Sequence, residues 1–501
     1  MKKIKLILAT LVVVLATVFS GGKALAYDIT VDGDDASNFN SYQIFTGTLG
    51  EDGALGQVEW GNGITKEGQD ALTAKYGVST AAELAEKMAK FTADETAEFA
   101  KEAGKYPGTA GALTGLSAGY YLVKNKTVGS NGTYSNYIME VVKDVTVSPK
   151  TGVPTVEKKV DDKDDSTTAE DATVWEDSAD YDINDEVPFQ LTATLPENIA
   201  TYNQYYLEFA DTLSAGLTYN ANSLHIFAVN GSEEKEITGF FYAKESAGNL
   251  KIAISDLKGI DNIGYATINK DTKIVVRYSA TLNENAEIGA KGNPNTVKLV
   301  FSNNPNNSGD GKTTPETPDQ PDKPKEDEPD KPDDTNETPE DKVIVFTYQS
   351  VVNKTDEKGN ELKGAGFTLS KKLADGSWKD VEKIVAGEQT TFTFKGIDAG
   401  TYKLEETDVP AGYNKAADIE FTITATHSQG AEPELLTLTS SNNKVKADVT
   451  SGTLTTQVEN KKGSILPSTG SVGTTMLYVV GTMLVLGAGV LLITKKRMDV
   501  K

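Results

Sequence analysis

The stretch from Glu186 to Leu195, EVPFQLTATL, decides the class of fold. Every second position from Phe189 to Leu195 is apolar and the positions between are polar, so an extended strand here has one apolar and one polar face. Short strands of this kind recur along the chain, separated by polar turns, and they favour sandwiches over α/β folds. The sequence therefore predicts an all-β protein built of tandem immunoglobulin-like β-sandwich domains.

Changes of pattern divide the chain into six segments. The first domain shows helical spacing, with an N-cap near Ser79 and a second helical run over Ala93–Ala103. Residues 308–342 hold seven of the 17 prolines and are mostly acidic or polar, so we expect an extended, solvated linker there. The predicted segments are a signal peptide (1–26), an N-terminal domain with inserted helices (27–150), a second domain (151–307), the linker (308–342), a third domain (343–465) and a C-terminal signal (466–501).

The composition excludes several kinds of chemistry. The chain has 501 residues, a net charge of −24, no cysteine and two histidines, His225 and His427. It therefore has no disulfide, thiolate nucleophile or cysteine zinc site, and two distant histidines do not build a His triad or a multi-His metal site. An acidic surface repels phosphate backbones, so we expect no nucleic-acid partner. We also expect the protein to bind no cofactor or metal ion and not to be an enzyme.

Both ends of the chain carry targeting patterns. Residues 1–26 run from MKKIK through an apolar stretch to small residues ending ALA, which predicts a secretory signal cleaved after Ala26. At the other end stands Leu466-Pro467-Ser468-Thr469-Gly470. An apolar segment follows, richest from Met476 to Ile493, and then the basic residues KKR. That segment has the length of one transmembrane helix, and the basic tail would stay on the cytoplasmic side.

This C-terminal layout resembles the LPXTG cell-wall sorting signal of Gram-positive surface proteins. The resemblance implies that a sortase cleaves between Thr469 and Gly470 and holds Thr469 as a thioester. It implies pilin-specific and housekeeping sortases and peptidoglycan as partners, and a location that is secreted and cell-wall-anchored.

Alternation in the third domain places three reactive side chains on the core side of its strands. Lys354 shares a face with Val352, Glu406 with Leu404, and Asn460 with Val458. A lone buried lysine or glutamate is unfavourable. Burying the three together makes sense if they react. Burial favours a neutral amine and a neutral acid, so the amine can attack the asparagine carbonyl while the acid polarises it, releasing ammonia and leaving an isopeptide bond.

These segments resemble a Cna B-type domain, with a lysine strand, a YxLxET box (402–407) and a C-terminal asparagine. The resemblance implies that Lys354 is the amine, Glu406 the catalytic acid and Asn460 the acceptor. The second domain is similar to the isopeptide-forming domain of fimbrial backbone subunits. By that analogy Lys158, Asp211 and Asn303 form its triad, with Lys159 and Asn304 as alternatives because the register is ambiguous by one residue.

The first domain ends in VTVSPK, whose lysine is Lys150. This resembles the pilin motif of sortase-polymerised pili, with Ser148 in place of the usual tyrosine. The resemblance implies that Lys150 attacks the sortase-bound Thr469 of another copy. Only five residues separate Asn460 from Leu466, whereas a wall-anchored monomer normally has a long disordered segment there.

The whole chain is thus similar to the major backbone subunit of a covalently assembled Gram-positive pilus. The resemblance implies identical subunits and minor tip and base pilins as partners, and a role in adhesion or colonisation. No motif identifies a host ligand. The alternative is a wall-anchored monomeric adhesin.

Overall fold

The computed structural model describes residues 26–31, 36–50, 55–128, 132–134, 138–141, 145–147, 152–163, 173–311, 315–463 and 473–498. Apart from three helices in the first domain, one short helix in the second and one at the C-terminus, the described regular structure is β-sheet with a few 3-10 turns. The predicted all-β class is therefore confirmed.

The first domain combines a four-stranded sheet with three helices. The strand order of that sheet is β3-β2-β4-β5, and β1 and β6 pair in parallel beside it. The elements are β1 (Ile29–Val31), β2 (Phe39–Leu49), β3 (Leu55–Trp60), α1 (Lys66–Tyr76), α2 (Ala81–Met88), α3 (Ala93–Ala103), β4 (Gly119–Asn125), β5 (Ile138–Val141) and β6 (Val145–Val147).

Local sequence explains two of these helices directly. Helices α2 and α3 each begin with a capping box. Thr80 or Thr92 caps the helix, and the side chain of a glutamate three residues later accepts a hydrogen bond from the backbone amide of that threonine. Helix α1 was not predicted. It contains Gly68 and buries only that glycine and Leu72, so its apolar face is too narrow for periodicity to reveal it.

The second domain is a sandwich of two large sheets around one core. One sheet has the order β14-β13-β17-β10-β7-β8 with β12 on β17, and the other β15-β16-β11-β18-β20-β9 with β19 on β18. The elements are β7 (Val156–Asp161), β8 (Trp175–Glu176), β9 (Ser178–Asp180), β10 (Glu186–Thr194), β11 (Leu207–Leu213), β12 (Leu217–Tyr219), β13 (His225–Asn230), β14 (Glu233–Glu236), β15 (Tyr242–Ser246), β16 (Asn249–Ile254), α4 (Leu257–Asn262), β17 (Lys273–Leu282), β18 (Asn293–Ser302), β19 (Thr335–Glu337) and β20 (Asp341–Phe346).

The structure differs from the predicted linker and from the predicted start of the third domain. The described part of the linker lies along the second domain, where the amide of Lys325 donates to the carbonyl of Phe241 at 2.7 Å and β19 pairs with β18. Strand β20, which begins at Asp341, completes the second domain's sheet by pairing with β18 and β9. Composition does not reveal this because the contacts are long-range backbone pairings.

The third domain is a smaller sandwich that begins directly after β20. Its sheets have the orders β24-β21-β29-β28 and β23-β22-β25-β26-β27. The first strand, β21, and the last, β29, are neighbours and run parallel. The elements are β21 (Tyr348–Asp356), β22 (Gly366–Lys372), β23 (Trp378–Ile384), β24 (Thr391–Ile397), β25 (Gly400–Asp408), β26 (Ile419–His427), β27 (Leu435–Ser440), β28 (Val445–Asp448) and β29 (Thr453–Asn460).

A final helix, α5 (Gly473–Met498), covers the segment predicted to be the sorting helix. Within the part of the chain that the structure describes, no helix has both the length and the hydropathy needed to cross a membrane. The predicted membrane crossing stays a prediction.

A buried ion cluster joins the second and third domains. The amine of Lys371 on β22 lies 2.7 Å from Asp398 and 2.8 Å from Asp182, a residue of the second domain. The hydroxyl of Tyr402 donates to Asp398 at 2.8 Å. Lys371 and Asp398 are almost fully buried, so their charges depend on one another for compensation.

We expect Lys371→Met to reduce the free energy of unfolding by about 3–5 kcal/mol, because it leaves the buried carboxylate of Asp398 without its counter-charge. Urea unfolding of the mature chain measures the change. The matched control is Lys363→Met, which removes an exposed pair with Glu388 and should change stability by less than about 1 kcal/mol. Equal losses in the two variants would contradict the prediction.

Candidate functional site

Three strands of the third domain bring its predicted triad together inside the core. Strand β21 carries Lys354, β25 carries Glu406 and β29 carries Asn460, and their exposed fractions are 1%, 3% and 1%. Lys354 pairs in register with Val458, so Asn460 lies two residues further along the same face. Glu406 approaches from the opposite sheet.

Hydrogen bonds connect the acid of this cluster to its asparagine and hold the lysine beside them. The side-chain nitrogen of Asn460 donates to Glu406 Oε1 at 2.8 Å, and the backbone amide of Ala416 donates to Oε2 at 2.7 Å. Lys354 Nζ donates to the carbonyls of Thr355 and Val458 at 3.0 and 3.1 Å. The buried Asn460 Oδ1 has no hydrogen-bond partner among the described residues. An amide carbonyl in this state is available for polarisation.

The electrostatics of Lys354 suit a nucleophile. Burial lowers the pKa of its amine, and the nearby charge of Glu406 offsets part of that shift. A lowered pKa increases the fraction of neutral amine, which is the form that attacks a carbonyl.

The second domain holds a similar cluster around Lys158 and Asp211, two fully buried residues. The amine of Lys158 contacts Asp211 Oδ2. Both groups also touch the hydroxyl of Tyr278, which lies 3.0 Å from Lys158 Nζ and donates to Asp211 Oδ2 at 3.0 Å. Burial lowers the pKa of the Lys158 amine and raises the pKa of the Asp211 carboxyl. Both directions favour a neutral amine beside a neutral acid.

The asparagine of this cluster is Asn295 rather than the predicted Asn303. Asn295 is fully buried, and its side-chain nitrogen donates to Tyr278 at 2.8 Å. Asp211 on β11 pairs with Val297 on β18, and Val297 is two residues from Asn295. Asn303 lies eight residues further on, about 26 Å along an extended chain, where its backbone pairs with Tyr134 and Asp334.

The register also settles the two alternatives from the sequence. Lys158 points into the core, whereas Lys159 is on the other face of β7, 2.6 Å from Asp177. Asn304 bonds to Asp334 at 3.2 Å, outside the cluster. The sequence did contain a signal for Asn295, because it shares a face with the core residues Val297, Leu299 and Phe301.

Two buried oxygens in this cluster lack a donor. Asp211 Oδ1 and Asn295 Oδ1 have no hydrogen-bond partner among the described residues. Two acceptors in one buried cluster are unfavourable if the acid is ionised. A proton on Asp211 Oδ1 would supply a donor that can polarise an amide carbonyl.

The remaining predicted site residues lie outside the described residues. They are Lys150 and the sorting motif Leu466, Pro467, Ser468, Thr469 and Gly470.

Comparison with known proteins gives two family matches. Residues 349–435 match the SpaA prealbumin-like fold domain, and residues 458–500 match the LPXTG cell wall anchor motif. The first match contains Lys354 and Glu406, and the second contains Asn460 and the sorting motif. The matches thus cover the third domain's cluster and the predicted anchor.

Similarity also extends over most of the chain. It is 27% identical over 449 residues, 76% of this chain and 75% of the relative, to the "Trypsin-resistant surface T6 protein" of Streptococcus pyogenes serotype M6. The solved structure of the T6 backbone pilin of that serotype aligns with a TM-score of 0.58 at 18% identity, covering 89% of this chain and all of the other. The chain is therefore similar to a backbone pilin and carries the anchor of a cell-wall-attached surface protein.

Proposed function

We propose that this chain is the backbone subunit of a covalent pilus, in which Thr469 of one copy is joined to Lys150 of the next. The similarity to a backbone pilin and the LPXTG anchor support this assignment. Polymerisation needs one acyl donor and one nucleophile in each copy. The sorting motif and Lys150 are the candidates for these two roles.

Each of the two buried clusters closes an internal isopeptide bond. In the third domain, Lys354 Nζ attacks the side-chain carbonyl carbon of Asn460 with Glu406 as the acid. In the second domain, Lys158 attacks Asn295 with Asp211 as the acid. A carbon–nitrogen bond forms, the original amide bond breaks and one ammonia leaves at each site. The observation that carries this proposal is the burial of a lysine, an acid and an asparagine in each cluster, with Lys158 touching Asp211 and Asn460 bonded to Glu406, since buried charges otherwise destabilise the fold.

Such bonds suit a filament under tension. In the third domain the bond would join the parallel first and last strands, β21 and β29, so a pull on the two ends would load a covalent link. The bonds would close loops of 106 residues (460 − 354) and 137 residues (295 − 158). By the loop-entropy model used for disulfides, each contributes about 4–5 kcal/mol. They would cross-link a secreted chain that has no cysteine and so cannot form disulfides.

The polymer also accounts for the remaining expected partners. Pilin-specific sortase would join subunits, housekeeping sortase would attach the filament to peptidoglycan, and minor pilins would form its tip and base. Adhesion or colonisation would follow from presenting the tip away from the cell surface.

The linkage peptide from native filaments tests this assignment. Filaments are digested with protease and the branched peptides are sequenced by tandem mass spectrometry. We expect the carboxyl group of Thr469 in amide linkage to the side chain of Lys150. Filament digests in which Thr469 is linked only to peptidoglycan would instead indicate a wall-anchored monomer.

A further inference from the structure

Tyr278 occupies the centre of the second domain's cluster. It lies on β17 with 3% of its side chain exposed. Its hydroxyl is 3.0 Å from Lys158 Nζ, 3.0 Å from Asp211 Oδ2 and 2.8 Å from Asn295 Nδ2. It thus contacts the attacking nitrogen, the acid and the leaving nitrogen of the proposed ligation at once.

Packing holds this hydroxyl in place. The ring centroid of Tyr278 lies 5.4 Å from that of Phe189 and 5.6 Å from that of Tyr219, which meets it edge-on. The amine of Lys158 lies 5.4 Å from the same ring. A ring enclosed in this way has little freedom to swing its hydroxyl out of the cluster.

The third domain connects its acid to its asparagine differently. There Glu406 accepts a hydrogen bond directly from the leaving nitrogen, Asn460 Nδ2. Asp211 is one methylene shorter. Its Oδ2 is reached by Lys158 and Tyr278, and its Oδ1 has no partner among the described residues. Within the described residues, the leaving nitrogen of Asn295 is therefore connected to the acid through the hydroxyl of Tyr278 alone.

We propose that Tyr278 is a catalytic residue of the second domain, which relays a proton from Asp211 to the leaving nitrogen of Asn295. This inference rests on the proposed isopeptide bond between Lys158 and Asn295.

The proton transfers balance without any other reactant. As Lys158 Nζ attacks the carbonyl carbon, Asp211 Oδ2 takes a proton from Nζ and Oδ1 gives its proton to the carbonyl oxygen. The tetrahedral intermediate then collapses. Tyr278 gives its hydroxyl proton to Asn295 Nδ2 and receives the proton on Asp211 Oδ2, while the former carbonyl oxygen returns its proton to Oδ1. Ammonia leaves, and Asp211 and Tyr278 regain their starting states.

The environment of Tyr278 favours a relay over a separate base. Burial and the neighbouring Asp211 raise the pKa of its hydroxyl well above the usual value. The hydroxyl therefore stays protonated, and a group that accepts one proton as it gives another never has to carry a buried negative charge.

Removal of the hydroxyl tests the relay. The mature chain, Tyr27–Thr469, and its Tyr278→Phe variant are made by cell-free translation, stopped at timed intervals and weighed intact. The cross-linked peptide containing Lys158 and Asn295 is followed in the digest. We expect Tyr278→Phe to slow formation of this bond by about 100-fold or more, as for loss of a general acid. The third domain's bond, formed in the same molecules, should keep its rate.

A second variant separates the relay from a structural role. In the Tyr278→Phe background, Asp211→Glu lengthens the acid so that it can reach Asn295 directly, as Glu406 reaches Asn460. We expect this change to raise the rate of bond formation at least tenfold. The control is Tyr219→Phe, which removes a neighbouring hydroxyl and keeps its ring. Circular dichroism and resistance to trypsin verify folding.

Two results would overturn the relay alone: a wild-type rate in Tyr278→Phe, or a loss in the folded variant that Asp211→Glu does not rescue. If the wild-type second domain itself loses no ammonia, the proposed bond is absent and the relay is excluded as well.

Discussion

On the proposed linkage, replacing Lys150 by arginine is expected to abolish the covalent ladder that this protein would form on the cell surface. Arginine keeps the charge and most of the length of lysine, but its guanidinium stays protonated in proteins and is not a nucleophile. The thioester at Thr469 would then have no amine to accept it from another copy. In a Gram-positive host that expresses the pilin sortase, denaturing gels of wall extracts should change from a ladder to single copies.

The neighbouring Lys143 provides the matched control. Lys143→Arg makes the same chemical change seven positions earlier in the chain and should leave the ladder intact. Persistence of the ladder in Lys150→Arg would show that another lysine is the nucleophile. Loss of the ladder in both variants would indicate a general effect on secretion or folding.

Replacing Asn295 by alanine is expected to remove one of the two proposed internal bonds. The intact mass of wild-type Tyr27–Thr469 should fall below the sequence mass by two ammonia molecules. In Asn295→Ala the deficit should be one, because Lys158 has lost its acceptor. The second domain should also lose about 4–5 kcal/mol of stability with the cross-link, together with the packing of a fully buried side chain. Urea unfolding followed by intrinsic fluorescence measures this loss.

Asn303→Ala is the informative comparison. Asn303 lies beyond the end of β18, and the structure keeps it away from Lys158. This variant should therefore retain the two-ammonia deficit and nearly all of the stability. If instead the deficit fell to one ammonia in Asn303→Ala and stayed at two in Asn295→Ala, the acceptor would be the residue expected from the family analogy, and the structural assignment would be wrong.

The two domains show how far a sequence pattern can be carried. In the third domain, Lys354, Glu406 and Asn460 each follow an apolar residue at a spacing of two, so alternation alone predicted that they face the core. In the second domain the family analogy named Lys158 and Asp211, which the structure brings together, and Asn303, which it does not. Alternation does not separate Asn295 from Asn303, because the two are an even number of residues apart.

Sequence patterns were sufficient to predict the all-β class, the inward direction of the reactive side chains in the third domain, and the two targeting ends. These features are encoded locally, by alternation, composition and short motifs. Three features depend on the tertiary structure: Asn295 lies in the cluster of Lys158, β20 belongs to the second domain, and Tyr278 stands between the acid and the amide. Pairing between strands distant in sequence sets those positions, and a local pattern specifies which face a residue occupies but not how far a strand slides along its neighbour.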